Sequence, residues 1–509
     1  MNRASGILLS VTSLPSKYGI GCFSKEASDF VDWLAAAGQS YWQILPLGCT
    51  SYGAADDSPY QSYSAFAGNP YMISLEELIK EGVLTKAECD SIDFGADPKK
   101  VDYDKLHDHR LALLRTAYTR SNISQDPDYQ TFLAENRWWL DDFALFMALK
   151  DFFNGQAWNQ WPQDIRLHWG FALDHYREKL YFDIEFQQYM QYKFFTQWNK
   201  LKSYANEKGI QIIGDIPIYV APDSADVWAH PELFQLDENN TPVAIAGCPP
   251  DAFVADGQVW GNPLYRWDYH KETGYSWWIS RLYQSFRLYD AVRIDHFRGF
   301  DEYFSIPYGS PTALTGHWEQ GPGMALFNKI RESLGDKQLI AEDLGHMTDS
   351  VRQLVKDSGL PNMKVLQFAF DTDDVGAAND YLPHNYEPNC VVYTGTHDNE
   401  TIAGWWKSLK KKQKEQVRNY LCDHTTADEE FYKVVLAQAM RSCARTCILP
   451  VQDLLGLDNS ARMNQPSTVK TNWRWRMEKG MLTKAVQKDL LKLTRTYGRF
   501  NWQTVEKDA

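Results

Sequence analysis

Short runs of aliphatic and β-branched residues recur along the chain at Gly6–Val11, Tyr41–Leu45, Gln211–Asp215, Ala291–Asp295, Gln338–Glu342, Lys364–Phe368, Cys390–Thr394 and Thr446–Val451. Most of them lie between helix-like or polar segments, as strands of an α/β fold do. Helix-period segments such as Ala27–Ala37 and Asp349–Asp357 separate several of them. Eight such runs with intervening helices predict an α/β chain folded as a (β/α)8 (TIM) barrel.

Two connections are too long for a plain strand-to-helix loop. Residues 46–205 hold much of the aromatic content, including Trp138, Trp139, Trp158, Trp161 and Trp169, and predict an inserted, mostly helical subdomain leaning over the barrel mouth. Residues 216–290 are broken by Gly247-Cys248-Pro249-Pro250-Asp251 and Gly261-Asn262-Pro263 and predict rim loops. The expected organisation is one catalytic barrel over 1–509 carrying these two insertions.

The polar residues that close the runs change the picture from fold to chemistry. Four runs finish in a carboxylate, at Asp215, Asp295, Glu342 and, through Thr394-Gly395-Thr396-His397, Asp398. A parallel barrel displays its chemistry at the carboxyl ends of its strands, so these acids can converge on one mouth. Paired carboxylates are what glycosidic chemistry requires. Arg293 and His296 flank Asp295 and would favour the carboxylate a nucleophile needs. Glu342 and Asp343 are adjacent, so only one of them can face the mouth.

Composition narrows the substrate. The 509 residues carry a formal net charge of −14, which argues against a nucleic acid or other polyanion. Aromatic residues make up 14%, with 19 Trp and 28 Tyr, and aromatic faces beside Asp, Asn, Arg and His suit sugar rings, although most such residues are core in any fold. The eight cysteines form no C-x-x-C pair and match no zinc spacing. No apolar run approaches the roughly 20 residues of a membrane span, and Ile7-Leu8-Leu9 is too short for a signal core, so a cytoplasmic protein is expected. Tyr18-Gly19-Ile20-Gly21-Cys22-Phe23-Ser24 falls short of a dinucleotide loop. His107-Asp108-His109 and the Lys407–Lys414 charge run read as surface features.

Taken together, the strings resemble glycoside hydrolase family 77, the 4-α-glucanotransferases. The matching segments are Thr12-Ser13-Leu14-Pro15, Ser58-Pro59-Tyr60, Asp215-Ile216-Pro217-Ile218-Tyr219-Val220, Gly247-Cys248-Pro249-Pro250-Asp251, Val292-Arg293-Ile294-Asp295-His296-Phe297, Glu342-Asp343-Leu344-Gly345, Gln367-Phe368-Ala369-Phe370-Asp371, Thr396-His397-Asp398-Asn399 and Arg462-Met463-Asn464. The resemblance implies Asp295 as nucleophile, Glu342 as acid/base and Asp398 as transition-state stabiliser. It further implies Tyr60, Asp215, Asp251, Trp260, Arg293, His296, Asp371, His397 and Asn464 as substrate contacts, α-1,4-glucans such as maltooligosaccharides and amylose as donor and acceptor, and neither metal nor organic cofactor. The rival readings are an α-amylase-type hydrolase and a glucan-binding protein without activity. One departure stands out: the family usually reads Thr-Pro-Gly-Thr after Met-Asn, whereas this chain reads Gln465-Pro466-Ser467-Thr468. Serine accepts positive φ less readily than glycine, which bears on loop shape and acceptor preference.

Overall fold

The structure is a computed structural model that describes residues 3–51, 57–250, 255–345, 347–370 and 379–502. Its strands in chain order are β1 (Ala4–Leu8), β2 (Tyr41–Gln43), β3 (Gln211–Pro217), β4 (Ala244–Cys248), β5 (Gln258–Pro263), β6 (Ala291–Asp295), β7 (Glu302–Pro307), β8 (His317–Gln320), β9 (Leu339–Ala341), β10 (Asn362–Val365), β11 (Cys390–Tyr393) and β12 (Thr446–Pro450). Eight of these, β1, β2, β3, β6, β9, β10, β11 and β12, close a parallel barrel in that order. Their burial explains the run-like sequence pattern, since every residue of β1, β11 and β12 is buried.

Each barrel strand overlaps one of the eight apolar runs, with two shifts. The first strand starts at Ala4 and ends at Leu8, and Val11–Ser13 turns instead into a short 3-10 helix. The sixth ends at Val365, where Lys364–Phe368 was expected, and Leu366–Ala369 also forms a 3-10 turn. The cause is local: the Gln367 backbone N–H donates to Thr394 O at 3.2 Å and its side chain donates to Glu400 O at 2.7 Å, which bends the chain around the mouth.

The seam between first and last strands pairs Ala4 with Thr446 through Leu8 with Pro450. Arg499, fully buried, seals it by donating to the carbonyls of Ala4 at 2.9 Å, Arg445 at 3.0 Å, Ala444 at 2.8 Å, Ser442 at 3.2 Å and Met440 at 2.8 Å. Five acceptors around one planar guanidinium fit the residue that offers five donors. Near the start of the chain, Gly21 lies so close to the Val11–Ser13 turn that a Cβ there would meet Val11 O at 1.9 Å. That glycine serves packing.

Between β2 and β3 run the helices Tyr103–Ser121, Pro127–Phe152, Gly170–Lys179 and Tyr181–Glu207. Trp139, Trp158 and Trp161 are buried among them, whereas Trp138 and Trp169 are exposed. Trp198 ties the last of these helices to the helix Ser276–Leu288, which leads into β6, by donating to Leu288 O at 3.0 Å. Residues 216–290 hold more than loops. They supply β4 and β5, which combine with β7 and β8 into a four-stranded antiparallel sheet in the order β5-β4-β7-β8. His107-Asp108-His109 lies within the helix Tyr103–Ser121, away from the strand ends. In the lysine run, Lys407 pairs with Asp458 at 3.3 Å and Lys414 with Asp428 at 2.8 Å.

Candidate active site

Register explains the centre of the site. Asp215 on β3 stands directly opposite Arg293 on β6. Arg293 and Asp295 lie two residues apart, on one face of their strand. The guanidinium therefore reaches both acids: its Nη1 donates to Asp215 Oδ1 and Oδ2 at 2.9 and 2.7 Å, and its Nη2 lies 2.9 Å from Asp295 Oδ1. Arg293 and Asp215 are buried, while Asp295 is partly open to the mouth. Burial raises the Asp215 carboxyl, and the Arg293 charge works against that rise. Burial alone would lower Arg293, yet Asp215 and then Asp295 hold it well above its ordinary value.

The turn after β6 wraps around the next strand's acid. His296 adopts a left-handed conformation, φ 57° and ψ 48°, which costs a non-glycine residue about 1–2 kcal/mol. In that geometry its backbone N–H donates to Glu342 Oε2 at 2.6 Å, while Leu344 N–H donates to Oε1 at 2.7 Å. Burial, and next the negative charge of Asp295, push Glu342 up to about 8, against Arg293 and the two N–H bonds. Asp343 turns the other way and accepts from Asn362 Nδ2 at 2.8 Å and Met363 N–H at 3.0 Å. Glu342 is thus the member of the pair that meets the His296 turn.

His296 does not supply the positive charge expected from its place beside Asp295. Burial pushes its ring down to about 4, so it is neutral near pH 7. Its contribution is the backbone N–H and a ring that meets Trp260 of β5 edge-on, with centroids 4.9 Å apart.

The loop after β11 brings the third acid. Asp398 Oδ1 accepts from Asn464 Nδ2 at 2.7 Å and lies 3.4 Å from His397 Nε2. Tyr60, from the connection after β2, donates to Asp215 Oδ2 at 2.8 Å and lies 2.9 Å from His397 Nε2. One phenolic proton serves one acceptor, so His397 must carry the hydrogen on Nε2. These contacts join Tyr60, Asp215, Arg293, Asp295, His397, Asp398 and Asn464 into one chain, with Glu342, His296 and Trp260 beside it. Asp251 and Asp371 lie outside the described residues.

Sequence reasoning assigned no role to Arg462 or Trp473. Arg462 donates to Asp398 O at 2.5 Å and to Asn464 O at 2.8 Å, so it ties two candidate residues together through their backbones. Its place in Arg462-Met463-Asn464 was the available signal. Trp473 lies beside both Tyr60 and His397, with centroids 5.6 and 5.8 Å away, and nothing in its local sequence marks it. In the nearby departure, Ser467 has φ 64°. The backbone there holds the left-handed shape glycine would favour, with serine carrying the strain. Among the described residues no group of three or more His, Cys, Asp or Glu side chains could hold a metal ion.

This geometry puts one ion-paired carboxylate and one buried carboxyl raised to about 8 at the ends of strands that are neighbours in the barrel, an arrangement suited to nucleophile and acid/base work. The chain matches the family model described as 4-alpha-glucanotransferase, glycoside hydrolase family 77, over residues 9–483. It is 47% identical over 491 residues to a 4-alpha-glucanotransferase of Clostridium butyricum, covering 96% of this chain and 99% of the relative. A chloroplastic/amyloplastic 4-alpha-glucanotransferase of Solanum tuberosum is 41% identical over 515 residues, 98% of this chain and 86% of its own. Among solved structures, the amylomaltase from Streptococcus agalactiae in complex with acarbose superposes with a TM-score of 0.94 at 44% identity, covering 98% of this chain and 100% of that one.

Proposed function

The chain belongs to glycoside hydrolase family 77, the 4-alpha-glucanotransferases, and on that premise we propose how it transfers α-1,4-glucan segments from a donor maltooligosaccharide or amylose to the C4 hydroxyl of an acceptor glucan or glucose. The observation that carries the assignment of roles is the contrast between its two central acids: Asp295 pairs with Arg293, and Glu342 is a buried acid raised to about 8.

In this reading Glu342 gives its proton to the glycosidic oxygen while Asp295 attacks the anomeric carbon. The leaving glucan departs with that proton, and a covalent glycosyl-enzyme remains. The acceptor's C4 hydroxyl then loses its proton to Glu342 and displaces Asp295, restoring both groups and the original anomeric configuration. Asp398, held by Asn464 and Arg462, grips sugar hydroxyls as charge develops. Tyr60, Asp215, Trp260, Arg293, His296, His397 and Asn464 serve as substrate contacts in this reading, and the sequence resemblance adds Asp251 and Asp371. No metal or organic cofactor enters this scheme. Residues 1–509 act as one catalytic barrel, with 46–205 as a helical subdomain and 216–290 as a rim insertion that help an acceptor sugar compete with water.

No helix among the described residues is long and apolar enough to cross a membrane. Cytoplasmic residence is part of this reading, supported by cysteines that form no disulfide among the described residues.

Pure maltotriose tests the transferase assignment. It should disproportionate into glucose and longer maltooligosaccharides with little gain in reducing ends, because each bond broken is replaced by one formed. Reducing ends rising in step with cleavage would make the chain an α-amylase-type hydrolase, and unchanged maltotriose would make it a binding protein.

The acid role also predicts a pH profile. Glu342 is protonated below about 8, so kcat/KM for transfer should decline as pH rises through that value, and Glu342→Gln should abolish that alkaline limb. Stability follows the same sign. A carboxyl raised from 4.5 to about 8 on folding makes the native state bind the extra proton, so this group's contribution is lost as pH rises between those values. A flat profile across pH 7–9 would remove Glu342 from the acid role.

A further inference from the structure

Residues 395–401, which join β11 to the helix Ile402–Ser408, carry His397, Asp398 and Asn399. This loop is held by packing at His397, whose ring stacks on Tyr60 with centroids 5.3 Å apart. Beneath it lies a cavity of about 20 Å³, walled in part by His397, Thr401, Asp453 and Arg462, and room for one water molecule. That gap leaves part of the loop without packing partners, so hydrogen bonds share in setting its place above the barrel.

Both ends of the loop converge on one side chain. Asp453, in the helix Val451–Leu454 that follows β12, is 1% exposed. Its Oδ2 accepts from Thr394 Oγ1 at 2.6 Å, immediately before the loop, and its Oδ1 accepts from the Ile402 N–H at 2.8 Å, immediately after it. The middle is held separately. Asn399 Oδ1 accepts from the Thr396 N–H at 2.8 Å, and Arg462 reaches Asp398 O. The two oxygens of one short side chain thus take donors from both directions at once. The partners of Asp453 are a hydroxyl and an amide, neither of them charged, and burial pushes its carboxyl up to about 6. A carboxylate kept at that desolvation cost, without a cation beside it, calls for a role.

We propose that Asp453 is a positioning residue for glucan transfer: by pinning both ends of the 395–401 loop it fixes the place of Asp398 at the mouth, without touching substrate itself. The inference deepens the glucanotransferase reading and rests on it.

The test compares Asp453→Ala, Asp453→Asn and Thr394→Val. Maltotriose disproportionation gives kcat and KM, and hydrogen exchange of the intact protein follows residues 395–401. Asp453→Ala should lower kcat by about 10²-fold, the effect of misplacing a reacting-site group by about 1 Å. KM should stay within about threefold of the wild type, because Asp398 is assigned mainly to the transition state. Exchange should speed up in 395–401 while the barrel strands stay protected. Asp453→Asn should recover most of kcat, since Oδ1 can still accept from Ile402 and Nδ2 can donate to the Thr394 hydroxyl.

If Asp453→Ala does not fold, Thr394→Val decides, because it deletes one of the two bonds while keeping the side chain's shape. It should lower kcat by about tenfold, the loss of one buried hydrogen bond felt at the loop. A folded Asp453→Ala or Thr394→Val enzyme with wild-type kcat overturns the proposal. So does a variant whose exchange rises uniformly and whose loss of activity only tracks the unfolded fraction. Wild-type enzyme that leaves maltotriose unchanged would instead sink the parent reading, and the exchange data would still report on the loop.

Discussion

Asp295→Asn should cut transfer by about 10⁴–10⁶-fold, the scale for losing a covalent nucleophile, and Glu342→Gln by about 10²–10⁴-fold, the scale for losing an acid/base. Both variants should stay folded. Asparagine still presents an oxygen to Arg293, and glutamine still accepts from one of the two backbone N–H groups, of His296 or Leu344, that bind Glu342. They should part when the donor is an α-maltosyl fluoride, whose leaving group needs little protonation. With that donor Glu342→Gln should regain the first step and accumulate a glycosyl-enzyme of raised mass, because no base remains to activate the acceptor. Asp295→Asn should stay inert. Intact-protein mass spectrometry separates the two, and an adduct that maps to Asp398 or Asp215 would overturn the assignment of roles while leaving the family intact.

The second large effect concerns Arg293. Arg293→Met would leave Asp215, fully buried, without its cation, and Asp295 without its partner. Breaking one side of a buried ion pair typically costs about 3–5 kcal/mol, because the remaining charge stays desolvated. Urea unfolding should show a loss of that order. It should deepen as pH rises, since burial without the cation raises the Asp215 carboxyl further and its protonation at lower pH relieves the uncompensated charge. Adding Asp215→Asn should restore much of the stability, because asparagine carries no charge and still accepts from Tyr60. Activity should remain low in both, since Asp295 is still unpaired. A single variant within about 1 kcal/mol of the wild type, the ordinary effect of a point mutation, would show that the buried pair contributes little.

The barrel is legible in the chain because parallel strands buried on both faces leave unbroken apolar runs, and eight of them are enough to count. The limits of such runs are less legible. Val365 to Phe370 is nearly all apolar, and nothing in that pattern tells the end of β10 from the 3-10 turn that the Thr394 and Glu400 carbonyls impose on Gln367. The sheet of β4, β5, β7 and β8 escapes detection because its strands are short, Gly- and Pro-flanked, and drawn from both sides of β6. At the site, the Arg293 and Asp295 partnership follows from strand alternation. The Asp215 and Arg293 pair depends on the register of β3 against β6, a tertiary fact. The neutral His296 depends on depth of burial, which adjacency to Asp295 does not reveal. Asp398 stands out as an acid, but its bracing by Arg462, Asn464 and Asp453 joins positions more than fifty residues apart.

The seam sealed by Arg499 also sets the order in which the protein can be made. During synthesis β1 leaves the ribosome first and gains β2 on one side, but its other neighbour, β12, is more than four hundred residues away. At about 5–20 residues per second, that edge waits roughly 20–90 s. A nascent chain stalled before Thr446 exposes β1 and β11 as two unpaired edges of an open, apolar sheet, a template for association with other chains. Emergence of β12 and Arg499 is therefore the moment at which these edges cease to be sticky, and chaperone dependence should be concentrated in the interval before it.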